Sequence, residues 1–157
     1  MPSSAPSTPP LAVVHDKRCA SPSVPTDAPV PTQAAVRRTE TIFEVRRSAL
    51  VAPIRCVIRS LAELDSTSRE FHQAFQEIPR DIDFSRSVIV IAALGERPDE
   101  SYWIVADTTW IQGDTSVVVV RSGGATDEGQ VAGDMFVYPL IAVLVPRSRE
   151  VAFIERE

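Results

Sequence analysis

Histidine is nearly absent from this chain: His15 and His72 are the only two among 157 residues. Imidazole is the side chain best suited to proton transfer and metal ligation near neutral pH, so its scarcity argues against a histidine-based enzyme. Lysine is rarer still, with Lys17 alone, and 21 acids against 16 basic residues leave a net charge of −5. Arginines here are not interleaved with aromatic residues, so the basic stripe that grips a phosphate backbone is missing and no nucleic-acid partner is expected. Long apolar runs are also missing. The longest, residues 88–94 and residues 135–145 with Pro139 inside, fall well short of a bilayer's thickness, so no transmembrane segment is expected.

Residues 1–34 hold eight of the thirteen prolines, four charged residues and no aromatic residue. Without apolar periodicity such a segment does not offset the entropy of ordering it, and it reads as a disordered, Pro-rich tail or linker preceding a single domain, residues 35–157. Its longest apolar run, residues 11–14, is followed at once by His15, Asp16, Lys17 and Arg18, so no signal peptide is visible. Cys19-Ala20-Ser21-Pro22 resembles the start of a mature lipoprotein, but the preceding HDKR is no lipobox. Cys56 shares a strand phase with Ile54 and Ile58, which predicts a buried, unpaired thiol. A bridge to Cys19 is the alternative, open in an oxidising compartment.

The remaining pattern is mainly β, α+β by strict count. Residues 87–94 form a continuous β-branched run of the kind that fills a strand buried on both faces, and residues 102–106 alternate, so together they read as a central hairpin with residues 95–101 as its turn. Short strands are expected at 41–46 and 54–59, a tight turn at Gly113-Asp114 leads into the valine run of 116–120, and further strands follow at 136–145 and 151–154. Pro139 implies a bulge or edge position. Ser60 and Glu63 make a capping box, after which Leu61, Leu64, Phe71, Phe75 and Ile78 line one face of a predicted helix over 60–78, stopped by Pro79. About seven strands and one helix, joined without alternating helices, predict an antiparallel β-sandwich or partly open barrel with the helix packed on it. Charge is segregated along this domain: residues 35–59 carry six arginines against Glu40 and Glu44, while residues 60–157 carry seventeen acids against eight arginines, so the two parts should attract each other.

One set of residues resembles a known family. The Arg59-Ser60 helix cap, the aromatic helix, the DIDFS of residues 81–85, Gly95-x-x-Pro98 with Tyr102, and Pro139 followed by an apolar run ending at Pro146 are similar to the C-terminal domain of the protease-complex subunit PrcB family, over roughly residues 54–155. The family turn runs G-x-x-P-T-G-G-Y and its late motif is Pro-Tyr. Here the turn reads Gly95-Glu96-Arg97-Pro98-Asp99-Glu100-Ser101-Tyr102, and the late pair is Pro139-Leu140. The resemblance implies a non-catalytic accessory domain that needs no cofactor and supports the assembly or stability of an exported, cell-envelope protease complex. More faintly, Pro98 and Tyr102 resemble the loop of chagasin-like cysteine-protease inhibitors.

Catalytic and ligand readings find little support in the residues. A Cys56–His72 pair has no local signature around it. Asp127, Glu128 and Asp134 share a glycine-rich loop without a calcium-loop pattern, and Gly123-Gly124 lacks the Gly-Lys-Ser/Thr of a phosphate cradle. The charged turn is the better candidate. Arg97, Pro98, Asp99, Glu100 and Tyr102, next to Trp103, have the composition of a protein-binding loop, with Tyr102 fixing its base. The loop of residues 122–134 and the basic segment around Arg46 and Arg55 are the other candidates.

Overall fold

The computed structural model describes residues 12–13, 19–20, 36–71, 75–124 and 135–156. Within them the strands are β1 (Ala12–Val13), β2 (Cys19–Ala20), β3 (Arg37–Arg38), β4 (Glu40–Val45), β5 (Ile54–Ile58), β6 (Ser87–Ala93), β7 (Trp103–Gln112), β8 (Thr115–Gly123), β9 (Leu140–Pro146) and β10 (Glu150–Arg156), with helix α1 (Leu61–Glu70) between β5 and β6. They form two five-stranded sheets that do not close into a barrel, one in the order β1-β10-β8-β7-β3 and the other β2-β5-β6-β9-β4. The expected sandwich is therefore the fold, and the strands of five or more residues number seven.

Strand β6 explains the layering. Val88, Val90 and Ala92 point at the first sheet and meet Ile104, Ala106, Val118, Val120 and Phe153, whereas Ile89, Ile91 and Ala93 point the other way, into a second core with Leu64, Phe75 and Ile78. Side chains alternate across a strand, so only an unbroken apolar run satisfies both faces. The same holds for β8, whose Val118 and Val120 join the inter-sheet core while Val117 and Val119 pack with Trp110 and Ile154 on the opposite face.

The predicted central hairpin is not one. β6 lies in one sheet and β7 in the other, so residues 94–102 carry the chain across the sandwich. The reason lies in the side chains: Val90 and Ala92 have to face Ile104 and Ala106 across the inter-sheet core, which neighbouring strands of one sheet cannot do. The hairpin of this region is β7–β8, turned at Gly113 with φ +61. Pro139 is neither bulge nor edge. It precedes β9, which runs between β6 and β4, so its missing N–H falls outside the ladder and the strand begins at Leu140 rather than near residue 136. One pair departs from the antiparallel pattern: β10 runs parallel to β8, because the chain changes sheets at the 146–150 corner and re-enters beside β8 in the same direction.

Helix α1 is shorter than its periodicity predicts. Ser60 caps it as expected, its Oγ accepting from Glu63 N at 3.1 Å while Glu63 Oε2 accepts from Arg59 N at 2.7 Å. The helix ends at Glu70, with Phe71 N donating to Thr67 O, after the weak helix formers Ser66, Thr67 and Ser68. Phe75 and Ile78 nevertheless remain fully buried on the sheet, whereas Leu61 lies exposed, off the stripe. Burial of the apolar face thus outlasts the helical backbone.

One further departure involves Cys19, among residues 1–34. Of these the structure describes four, and all four sit in the sheets: Ala12–Val13 against β10 and Cys19–Ala20 against β5. Cys19 faces Cys56 directly in that register and the two are joined by a disulfide, so Cys56 is buried as predicted but not unpaired.

The charge segregation becomes a bridge between sheets. Arg55 on β5 donates through Nε and Nη2 to both carboxylate oxygens of Glu155 on β10, at 2.7 and 2.9 Å, and through Nη1 to the carbonyls of Ile54 and Ala93. The two side chains are 5% and 11% exposed, so this bidentate pair is shielded from water. Removing one partner strands a buried charge, and Glu155→Ala is expected to cost about 3–5 kcal/mol in denaturant unfolding, while replacing both Arg55 and Glu155 with apolar residues recovers most of that loss. Phe75→Ala is expected to cost a similar amount, about 3–5 kcal/mol, through loss of its buried contacts with Leu64 and Ile78; a cost below about 1 kcal/mol would mean the site collapses freely.

Candidate functional site

The crossing segment between β6 and β7 is held at every step. Leu94 N donates to Pro139 O at 2.9 Å, and the chain then turns at Gly95, whose φ is +80. A Cβ there would lie 2.8 Å from Val51 O and 2.9 Å from Pro53 N, so glycine is required both by conformation and by space. Glu96 N donates to that same Val51 carbonyl at 3.0 Å, and Arg97 exchanges two backbone hydrogen bonds with Val137, each 2.9 Å.

The tip is closed by its own side chains. Asp99 accepts from Ser101 N at 2.8 Å and from Ser101 Oγ, an Asx-type turn that fixes the reversal without the paired glycines of the family motif. Arg46 reaches across from the end of β4 and donates to Glu100 O at 2.9 Å. The Arg97 guanidinium lies 5.6 Å above the Tyr102 ring in a cation–π arrangement, with its Nε buried and lacking an acceptor among the described residues. Tyr102 packs against the inter-sheet core and seats the loop from below, and Gly124 passes so close that a Cβ would fall 2.3 Å from the ring.

Two neighbouring segments complete this end of the sandwich. Tyr138 N donates to Arg46 O at 2.7 Å, and Ser48 returns bonds from both its N and its Oγ to Tyr138 O, at 3.2 and 2.8 Å. Tyr138 OH then donates to Glu96 Oε1 at 3.0 Å, joining the 46–48 and 137–138 segments to the crossing loop. Around this framework Val51, Phe136, Met135 and Trp103 are exposed, at 66, 58, 45 and 41%.

The five nominated residues therefore belong to one braced loop, though their side chains divide. Arg97 and Asp99 are occupied in holding the turn, Tyr102 in anchoring it, and Pro98 and Glu100 are exposed at its tip. Sequence reasoning missed Arg46's reach to this tip, along with Val51, Met135, Phe136 and Tyr138. Tyr138 and Phe136 were hidden inside a predicted strand, and only the arrest of β9 by Pro139 could have flagged them as loop. Of the other candidates, Arg55 is consumed by its ion pair and Cys56 by its disulfide, so the Cys56 sulfur is not a free nucleophile. His72, Asp127, Glu128 and Asp134 lie outside the described residues, and among the described residues no group of three or more His, Cys, Asp or Glu converges to hold a metal.

Tyr138 supplies a spectroscopic handle on this brace. Its hydrogen bond to Glu96 holds its pKa above the usual tyrosine value, with burial and the Glu96 charge acting in the same direction. A raised folded pKa favours the native state below the ordinary tyrosine range, and the benefit is lost as pH rises through the raised value. In a Tyr102→Phe background, absorbance titration of the folded protein is expected to show Tyr138 ionising above an ordinary tyrosine, and Glu96→Gln is expected to lower that midpoint; coincident curves would show the bond to be absent in solution.

No protein-family model, no curated protein and no solved structure matches this chain, so the resemblance to the PrcB family rests on the sequence motifs alone.

Proposed function

We propose that this domain is a non-catalytic protein-interaction module whose partner surface is the end of the sandwich built from residues 46–53, 95–103 and 135–138, and that it serves as an accessory to an exported protease complex. The observation that carries the reading is the bracing of the loop: paired with Val137, closed by Asp99, clamped by Arg46 and seated on Tyr102, it presents Pro98 and Glu100 with little conformational freedom left to lose. A preorganised loop binds at lower ordering cost than a pliable one. The chemistry of the surroundings agrees, because exposed Trp103, Phe136, Met135 and Val51 among arginines match the aromatic, Met and Arg enrichment of protein interfaces. The disulfide supports the exported compartment. The family reading supplies the protease complex.

A second reading draws on the same rigidity: a projecting loop fixed at both ends is what a reactive-loop protease inhibitor requires. Inhibition of papain-like or subtilisin-like proteases by the purified protein would favour it over the accessory role.

The test is partner capture by the full chain from the cell envelope of the source organism. The Arg97→Ala, Asp99→Ala, Glu100→Ala triple variant, and separately Phe136→Ala, are expected to lose capture by about tenfold or more. Phe136 is exposed, so its variant is expected to keep the parent melting temperature. Full capture by both folded variants sinks this surface as the binding site.

A further inference from the structure

We infer that the outward face of the first sheet, at the end bounded by Trp103, binds an acidic polysaccharide, with one sugar ring stacked on Trp103 and its carboxylate taken by Arg121. Strand pairing brings the parts together. Trp103 lies opposite Gly123, and Val105 lies opposite Arg121, which in turn lies opposite Arg156 on β10. Ile104 and Ala106 fill the inter-sheet core, so Trp103, Val105 and the residues opposite them point outward. Thr108 shares the phase of Trp110 on that same face, and Arg38 on β3 lies opposite it.

Trp103 is seated as a platform. A Cβ on Gly123 would lie 2.8, 2.9 and 3.0 Å from the indole Cζ2, Cε2 and Nε1 atoms, so a glycine is needed for the ring to lie across the strand. One ring face covered by backbone and one left open accounts for the 41% exposure of this side chain. The face of an aromatic ring is negative and attracts the C–H groups that line one side of a pyranose.

Charge selects an acidic sugar. Near the platform the outward side chains of β3, β7, β8 and β10 include Arg121, Arg156 and Arg38 against a single acid, Asp107, while Glu150 lies at the far end of β10. Asp107 accepts from Thr108 Oγ1 at 3.1 Å and from Arg121 Nη2, which fixes the guanidinium at the surface. The Arg121 side chain is 47% exposed, and its other donors meet no acceptor among the described residues. Arg121 stands two residues before Gly123, about 7 Å along β8, within reach of a carboxylate carried by a ring over Trp103. A guanidinium takes a carboxylate through paired hydrogen bonds. Single-stranded nucleic acid also combines stacking with positive charge, but it calls for a row of rings under successive bases, and this end of the face offers one exposed ring among the described residues.

Apart from Trp103 this face shares no residue with the braced loop surface, so glycan binding and partner capture stand or fall separately. The test is calorimetric titration of the full-length protein with hexagalacturonate, with neutral maltohexaose and with oligothymidylate, at low and at high salt. Hexagalacturonate is expected to bind saturably, about tenfold or more tighter than maltohexaose, and to weaken as salt rises. Trp103→Ala and Arg121→Gln are each expected to weaken it by about tenfold or more while the melting temperature holds, and Trp103→Phe, which keeps a ring over Gly123, is expected to retain part of the affinity. Absence of saturable binding, equal binding of maltohexaose, tighter binding of oligothymidylate, or unchanged affinity in either folded Trp103→Ala or Arg121→Gln variant overturns the assignment.

Discussion

The structure depends on one constraint: the sheet β2-β5-β6-β9-β4 has to be covered on both faces. Its inner face is covered by the other sheet and its outer face by α1 and the turn that follows. This is why β6 after Ser87 and β9 are apolar throughout, and why α1 needs so exact a cap at Ser60 while tolerating an early end at Glu70. A strand with two dry faces leaves no lateral position for chemistry. Polar and aromatic groups free to meet another molecule are displaced to the ends of the sandwich, where the crossing loop and the 135–138 segment lie.

Arginine rather than lysine does the polar work within this frame. Arg55 spans the two sheets with a fork that matches a carboxylate, Arg46 holds a loop carbonyl, and Arg59 donates to the carbonyls of Ser148 and Arg149. Arg147 repays the last contact by donating to the carbonyls of Arg59 and Phe84, so the β5–α1 junction and the β9–β10 corner are tied to each other. Partial burial lowers the Arg59 pKa, and the neighbouring Arg147 adds to that, opposed by Glu63. A planar guanidinium with five donors satisfies several acceptors in fixed directions, which a lysine ammonium does not. The near-absence of lysine and the abundance of arginine in the composition are thus two views of one use.

Much of this was legible because burial leaves a periodic trace. The doubly buried strands, the Ser60 cap, the tight turn at Gly113 and the inward apolar stripe at Phe75 and Ile78 all follow from spacing. Which strands share a sheet did not follow, since a run such as residues 87–94 specifies that both faces are covered but not by what; the false hairpin across residues 95–101 arose there. The nominated loop was visible as a charged, Pro-containing interruption. Its braces were not, because Val137, Arg46 and Gly124 lie far from it in sequence and reach it only through topology. Cys19 was obscured by a Pro-rich context that offers no periodicity, so a long-range bond had no local signal.

The parallel pairing of β10 with β8 sets the order in which the protein can be completed. β10 follows every other described strand in the chain, yet it lies inside its sheet, between β8 and β1, and it carries the Glu155 that neutralises Arg55 on a strand about a hundred residues earlier. Until β10 is in place, the valines of β8 lack one neighbour and Arg55 lacks Glu155. The sandwich is therefore completed through contacts of long sequence separation, with the earlier strands in an incomplete sheet until β10 docks.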